Sequence, residues 1–273
     1  MNLIPHPWRL AMDPFAPPLT SQCCLCGSTE ALSGEHKLKA AALRSEFGAQ
    51  PMVIGRPGER YRHAQSPSSK QFHFSARICG TCNNARTQPA DLAFDAFRAL
   101  ASDLLKTGKD PAKVHEDPRF NASGGTLYLD VFRYFAKLMC CHLAEMGATF
   151  YEPIADFAIG ISDNNYVLLC VDADVAYRRL QENGAIHSYA AHGGLIVTGN
   201  PQSHAPEAFH STLTIGPVRY CYRIHLNEVG QAQLQHEHPD FYEWCQRRIR
   251  HAMDNPMSDD DRELLGLNGA NEK

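Results

Sequence analysis

Two cysteine pairs are the residues of this chain whose types and spacing most directly indicate chemistry. Cys23 and Cys26 lie in "CCLCG", and Cys79 and Cys82 lie in "CGTC", so two residues separate the members of each pair. A C-x-x-C turn places two thiolates on one side of a tight loop, and two such turns supply the four ligands of a tetrahedral zinc site. We therefore predict a structural zinc ion held by these four cysteines, with Cys24 as a spare.

Other uses of cysteine are weighed against this one. Buried apolar thiols are predicted where cysteines stand in apolar or amphipathic runs, as at Cys140, Cys141, Cys170, Cys221 and Cys245. Disulfides are disfavoured because the N-terminus lacks the apolar run of an export signal, so the thiols are expected to be reduced. A redox role would need a single C-x-x-C within alternating strands and helices, which surround neither pair.

A glutamate and a histidine stand side by side between the two cysteine pairs. They open the stretch "GEHKLKAAALR", in which Glu35 and His36 precede three alanines and two lysines. Such a pair is either part of an active site or the polar start of an amphipathic helix. For a lone histidine the second interpretation would be preferred, and the position of His36 between the cysteine pairs favours the first.

Positive charge is concentrated in the same part of the chain. Residues 31–90 contain nine Lys and Arg against three acidic residues, a net charge of +6, whereas the whole chain carries −4. A cationic segment is what phosphate binding requires. The residues expected to contact nucleic acid are Lys37, Lys39, Arg60, Arg62 and Lys70, and a solvated basic loop is the alternative.

The elements that must position these residues can be read from the local patterns. We predict a short hairpin over "STEALSGEH" with Gly34 at a bend, a helix over "KLKAAALRSEFG" ending at Gly48, and a strand over "QFHFSARI". A second helix starts near Asn83 or Asn84, and its expected apolar face consists of Leu92, Phe94, Phe97, Leu100 and Leu104. The order of cysteine turn, hairpin, cysteine turn and helix predicts a treble-clef zinc finger.

These motifs together resemble the HNH nuclease superfamily, in its four-cysteine branch. The resembling features are C-x-x-C, then an acidic residue followed by histidine, then C-x-x-C-N at a helix start, all within residues 20–100. The resemblance implies a ββα-metal site in which His36 is the general base and Glu35 an acidic ligand of a catalytic ion. It assigns the last motif position to Asn83, with Asn84 as second choice. The implied cofactors are structural Zn²⁺ and a catalytic Mg²⁺ or other divalent ion, which oxygen ligands suit.

The chain departs from the family pattern at one position. The middle asparagine of the motif has no counterpart, because no asparagine occurs between Asn2 and Asn83. His73 is the nearest residue able to take over its orienting role, and His63 and Gln65 are poorer candidates.

The expected function is a metal-dependent, HNH-like endonuclease acting on DNA, with RNA left open. The alternative is a zinc-stapled nucleic-acid-binding module that does not cut, and a third possibility is an interaction domain with no nucleic acid. The oligomeric state is not predicted.

Beyond residue 105 the sequence indicates structure rather than chemistry. The overall expectation is an α+β protein whose zinc-stapled treble-clef domain precedes a second α+β domain. The expected divisions are an N-terminal extension (1–19), the HNH-like domain (20–105), a polar linker (106–125), the second α+β domain (126–255) and a disordered tail (256–273). Long helices are predicted over "TLYLDVFRYFAKLMCCHLAEMG" and "HPDFYEWCQRRIRHAM", and strands over "FAIGIS", "YVLLCVDA", "GLIVTG" and "VRYCYRIHLN".

Composition limits the class of protein. With 44% apolar residues in 273, the chain can bury a sizeable core, and no run approaches the roughly 18 apolar residues of a membrane span. We expect no membrane partner and a cytoplasmic location.

The histidines of the second half, from His142 to His225, lack ligand spacing and are expected to be ordinary polar or core residues.

Overall fold

The computed structural model describes residues 15–48, 52–54, 62–64, 66–148, 151–184 and 188–264. These residues form a mixed structure of helices and antiparallel strands, which confirms the predicted α+β class at this level. Arg60, Gln65 and His187 lie outside the described residues, as do 265–273 of the predicted tail.

Two strands and a helix frame the cysteine pairs. Strand β1 (Leu32–His36) pairs antiparallel with β4 (His73–Cys79), and helix α1 (Ala40–Phe47) follows β1. Helix α1 ends at Gly48, as predicted, where a φ of 59° suits glycine. The segment between α1 and β4 contributes a small hairpin and a 3-10 helix: β2 (Met52–Ile54), β3 (Arg62–Ala64) and Lys70–Phe72.

The predicted hairpin over residues 28–36 is wrong. The first strand has its partner about 40 residues further along the chain, in β4, and an irregularity in the pairing falls between Gly34 and His36. The strand predicted over "QFHFSARI" is confirmed as β4.

Helix α2 (Gln88–Lys106) continues from the second cysteine pair through a π-helical turn, Cys82–Arg86. Phe94 and Phe97 are fully buried, as the apolar periodicity predicts, but Leu92 is 62% exposed and does not belong to the core face. The residues that follow α2, predicted as a linker, include a 3-10 helix at Pro111–Glu116 and bury Val114 and Phe120.

Helix α3 (Tyr128–Glu145) runs through the centre of the molecule. All residues from Val131 to Ala144 except Arg133 are buried, so the helix predicted as amphipathic is covered on nearly every side. Its Tyr134 ring stacks on Phe94 at 4.0 Å between centroids, and Phe135 packs against Tyr220. One continuous apolar core therefore joins the cysteine-bearing third of the chain to the rest.

An antiparallel sheet of five strands forms the other side of the core. Its strands are β5 (Val167–Ala173), β6 (Ala190–His192), β7 (Ile196–Gly199), β8 (Pro206–Ile215) and β9 (Val218–His225). The order is β5-β9-β8, with β6 and β7 both pairing with the far edge of β8. The remaining helices are α4 (Glu152–Ala158), α5 (Val175–Glu182), α6 (Glu228–Glu237), α7 (Pro239–Asp254) and α8 (Asp259–Leu264).

Two expectations for this half need correction, and one strand has no counterpart among the expectations. The strand predicted at "FAIGIS" is wrong, because Phe157 and Ala158 end helix α4, whose Pro153 stands at its start. Strand β8 was not predicted at all. The disordered tail is wrong for Asp259–Leu264, which forms helix α8. The strands over "YVLLCVDA", "GLIVTG" and "VRYCYRIHLN" and the helix over "HPDFYEWCQRRIRHAM" are confirmed.

Candidate metal centre and the histidine pair beside it

The four predicted cysteines form one cluster. The Sγ atoms of Cys23, Cys26, Cys79 and Cys82 all lie within 4.8 Å of one another, with Cys26 and Cys79 at 3.6 Å. Zinc bound to four thiolates at about 2.3 Å requires sulfur atoms about 3.8 Å apart, so the cluster has the size of such a site. Four cysteines at this separation could hold a metal such as zinc.

Backbone geometry directs the thiols inward. Gly27 has a φ of 71° and its amide donates to the Cys23 carbonyl at 2.9 Å, which closes the first cysteine turn. The amides of Leu25 and Cys82 donate to the Sγ atoms of Cys23 and Cys79, each at 3.4 Å. These donors stabilise negative charge on sulfur, which metal ligation requires.

The four thiols are close enough to perturb one another. A hydrogen bond from Cys82 lowers the pKa of Cys23 to about 4, and the same hydrogen bond raises the pKa of Cys82. Burial raises the pKa of Cys26. Neighbouring thiolates disfavour one another, and a divalent cation would favour the thiolate form at every ligand.

Cys24 lies outside the cluster, as predicted. Its Sγ is 3.7 Å from that of Cys141 on α3, and both residues are buried. The spare cysteine thus connects the first cysteine turn to the central helix.

His36 and His73 form a contacting pair on the β1–β4 ribbon. They are pairing partners of the two strands, and their ring centroids lie 3.9 Å apart at a tilt of 41°. Gly34 leaves room for this arrangement, since a Cβ there would lie 3.1 Å from Nδ1 of His73. The structure therefore places His73 beside His36, where the sequence expected an orienting group.

The His36 imidazole is neutral at pH 7. Burial lowers its pKa to about 4, and the positive charges of His73, Lys137 and Arg44 act in the same direction. Its Nε2 atom is buried and has no hydrogen-bond partner among the described residues. A neutral imidazole with an unoccupied nitrogen can accept a proton or donate one hydrogen bond, according to its tautomer.

Glu35 faces the interior and is bound to a lysine. The Nζ atom of Lys137, on α3, lies 3.1 Å from Glu35 and 2.7 Å from Asp91 on α2. The Lys137 side chain is 1% exposed, and although burial alone lowers its pKa, the two carboxylates raise it above the ordinary value. An ammonium group thus occupies the space between the two carboxylates. Sequence reasoning missed Lys137 and Asp91, because neither stands near Glu35 in the chain.

The two candidate asparagines lie at the start of the π-helical turn. Asn83 donates through Nδ2 to Oγ of Ser33, on β1, at 3.3 Å, and Ser33 donates to the Ile78 carbonyl. Asn84 is exposed, with Nδ2 near Gly80. Among the described residues, no other group of three His, Cys, Asp or Glu ligands lies close enough together to hold a metal.

The predicted nucleic-acid contacts divide into paired and exposed residues. Lys37 is bound to Glu145 at 2.7 Å, and Lys39 to Asp95 at 2.6 Å and to the Asp91 carbonyl. Lys70 is exposed. The side chain of Arg62 is outside the described part of the structure.

Three arginines of the basic segment that were not among the predicted nucleic-acid contacts are exposed in the same region. They are Arg44 on α1, Arg77 on β4 and Arg86 in the π-helical turn, where Arg86 donates to Sγ of Cys82 at 3.9 Å. The feature that singles out these arginines is their exposure on one face of a strand or helix. Sequence reasoning could not find it, because which face is exposed is known only from the structure.

His142 is a buried core residue, as expected, and His192 lies partly buried beside it. His142 on α3 stacks on His192 of β6 at 4.7 Å between ring centroids, and its Nε2 meets the hydroxyls of Ser211 and Tyr222. Burial lowers the pKa of both histidines, that of His192 to about 3.

Comparisons with protein-family models, curated proteins and solved structures gave no match to this chain. In the part of the chain that the structure describes, no helix combines the length and apolarity needed to cross a bilayer.

Proposed function

We propose that the chain is an HNH-like endonuclease that hydrolyses DNA phosphodiester bonds on a zinc-stapled treble clef. The observation that carries the proposal is the state of His36, a neutral imidazole whose Nε2 has no partner among the described residues. His36 ends strand β1, which lies in the chain between the two cysteine pairs of the cluster. The order of its motif residues resembles that superfamily, and in this proposal the zinc is structural.

The chain's own residues supply a proton acceptor and positive charge. In this proposal the neutral imidazole of His36 takes a proton from the attacking water, and a positioned base of this kind contributes about 10² to 10⁴ in rate. A pKa of about 4 leaves nearly all of the imidazole able to accept a proton at pH 7. The charge of exposed Arg44 acts on the same imidazole, and in this proposal Arg44 binds a phosphate there.

The residues proposed for the catalytic ion fit it poorly in the described structure. Glu35 is already paired with the buried Lys137 ammonium, and the Asn83 amide is bonded to Ser33. A divalent ion at Glu35 would have to coexist with a cation 3.1 Å from the same carboxylate. No catalytic step is therefore assigned to the ion.

The same ion pair favours a second candidate function. If the Lys137 ammonium always occupies the place beside Glu35 that a catalytic ion would take, the zinc-stapled ribbon is a nucleic-acid-binding module that does not cut. Arg44, Lys70, Arg77 and Arg86 would then supply the phosphate contacts.

Nicking of supercoiled plasmid in the presence of Mg²⁺ or Mn²⁺ tests the proposal. We expect nicking by the parent protein and a loss of about 10² to 10⁴ in rate in His36→Ala, with zinc content and DNA affinity retained. His236→Ala is the matched control, since His236 is an exposed histidine of α6, and it should cut like the parent. If the parent protein binds DNA but does not nick it with any divalent ion tested, the endonuclease proposal fails and the nucleic-acid-binding module remains.

A further inference from the structure

A cleft of about 600 Å³ lies on the molecule away from the cysteine cluster, between α1, α2, α5 and the β8–β9 turn. Its walls include Glu46, Arg98, Ser102, Tyr177, Gln181 and Pro217. The volume falls within the range of about 300 to 1,000 Å³ that small-molecule sites occupy. None of these residues belongs to the site described above.

Arg98 gives the cleft an unmet hydrogen-bond donor. Its Nε atom is buried and has no hydrogen-bond partner in the part of the chain that the structure describes, although buried donors are almost always paired. Lys106, two turns further along α2, lines the same cleft, where its Nζ atom lies 3.5 Å from the carboxylate of Asp103, another lining residue. The hydroxyl of Tyr220, whose pKa burial raises and the charge of Arg98 lowers, is also buried without a partner among the described residues. The Nε atom of Arg98 therefore remains without an acceptor, and the fork of a guanidinium matches phosphate oxygens.

Glu46 adds a carboxyl group at the end of α1. Its carbonyl accepts from the Ser188 hydroxyl at 2.8 Å, and Gly216 makes room for its side chain, since a Cβ there would lie 2.8 Å from Oε2. Burial raises the pKa of Glu46, and the charges of Arg98 and Lys106 act in the opposite direction. No described hydrogen bond or ion pair joins Glu46 to Arg98, so the two groups face the cleft separately.

Tyr177 supplies an aromatic wall. It lies on α5, where Asp174 caps the helix by accepting from the Tyr177 amide at 2.7 Å. Ser102 and Gln181 add a hydroxyl and an amide to the same lining. An aromatic ring beside neutral polar groups suits a flat, polar ring system.

We propose that this cleft binds a small phosphate monoester attached to a planar heterocycle, the chemistry of a nucleoside monophosphate. The phosphate meets Arg98 and Lys106, the heterocycle lies against Tyr177, and Glu46 accepts a hydrogen bond from it. This proposal does not depend on whether the chain cuts DNA.

Calorimetric titration of the full-length, zinc-loaded protein tests it, with adenosine and guanosine monophosphates, the two nucleosides and inorganic phosphate as probes. A monophosphate should bind more tightly than its nucleoside or phosphate alone. Arg98→Gln and Lys106→Gln should each weaken its binding about tenfold or more, the effect of losing a hydrogen bond to a charged group. Arg250→Gln, an exposed arginine of α7, is the control and should leave affinity unchanged.

Thermal unfolding and zinc content verify that each variant is folded. Lys106 is exposed, so Lys106→Gln should fold and keeps the test valid if Arg98→Gln unfolds. Absence of heat with both monophosphates would overturn the proposal, as would equal affinities in the parent and Lys106→Gln. Phosphate alone binding as tightly as the monophosphates would overturn the assignment of the heterocycle to Tyr177.

Discussion

Lys137 is the single residue on which the chemistry of the candidate site depends most. Its ammonium bonds both Glu35 and Asp91 inside the protein, and burial already raises the pKa of Asp91. Two buried carboxylates without their cation are strongly unfavourable, whereas the intact triad contributes little net stability compared with apolar residues. The triad therefore specifies how α2, α3 and β1 fit together.

Replacement of Lys137 by methionine should destabilise the protein by about 3 to 5 kcal/mol at pH 7. Burial already raises the pKa of Asp91, and loss of the ammonium, which acts in the opposite direction, raises it further above its unfolded value. The resulting penalty is present at neutral pH and disappears as the pH falls through the raised value. Urea unfolding at several pH values measures both effects.

Arg247→Met is the control for that experiment. Arg247 pairs with Glu243 on the exposed side of α7, and such a pair contributes less than about 1 kcal/mol. A Lys137→Met variant as stable as this control would contradict the role given to the triad.

The cysteine cluster gives a second prediction at this scale. Serine at Cys23, Cys26, Cys79 or Cys82 should remove bound zinc and destabilise the chain, because zinc binding is coupled to folding. Cys24→Ser should keep a full zinc content, since Cys24 points to Cys141. Elemental analysis of the purified variants decides between these results, and one retained zinc in Cys79→Ser would contradict the four-cysteine site.

At the scale of elements, the exposed face of β4 carries the positive charge that remains for a ligand. Arg77 is exposed on this strand and Lys70 just before it, whereas Lys37 and Lys39 are held by Glu145 and Asp95. The predicted basic segment is therefore partly neutralised by internal ion pairs. Phosphates would meet the β4 side of the ribbon.

Charge reversal in Lys70→Glu with Arg77→Glu should weaken binding to DNA of unrelated sequence. The log-log dependence of affinity on salt should flatten by about one to two units, since each lost phosphate contact removes about 0.9. Lys37→Gln should leave this slope unchanged, because its charge is used by Glu145. Fluorescence anisotropy across a salt series measures the slopes. The assignment would be contradicted if Lys37→Gln changed the slope and the double charge reversal left it unchanged.

Local patterns predicted elements well where the determinants are local. The C-x-x-C turns, the end of α1 at Gly48 and the alternation in β4 are properties of a few adjacent residues. The partner of β1 and the ion pair of Glu35 were not predictable, because β4 and Lys137 lie about 40 and 100 residues away. The strand wrongly placed at "FAIGIS" shows the remaining difficulty, since a short apolar run fits a buried helix end as well as a strand.

At the scale of the whole molecule, buried neutral histidines link stability to pH. The pKa of His192 is lowered to about 3, first by burial and then by the charge of Lys37. Between the unfolded value of about 6.5 and this folded value, the unfolded state binds more protons. Stability should therefore fall as the pH falls through this window, by up to about 1.4 kcal/mol per pH unit from this histidine.

His192→Gln should reduce the slope of unfolding free energy against pH between about pH 6.5 and 4, since glutamine does not titrate. His142, which stacks on His192 and is also held neutral, should keep part of the slope. Urea titrations followed by circular dichroism give the slope, and an unchanged value in His192→Gln would show that its imidazole is protonated in the folded protein.

The central position of α3 has a consequence for synthesis on the ribosome. All four clustered cysteines leave the exit tunnel before Lys137 and Cys141 do, because the chain emerges from its N-terminus. A nascent chain can therefore close its cysteine turns around a metal while Glu35 and Asp91 still lack their cation and Phe94 lacks the Tyr134 ring. Native packing of the first hundred residues therefore requires that α3 has emerged. A chaperone that shields apolar surface would be needed most between the emergence of the second cysteine pair and that of α3.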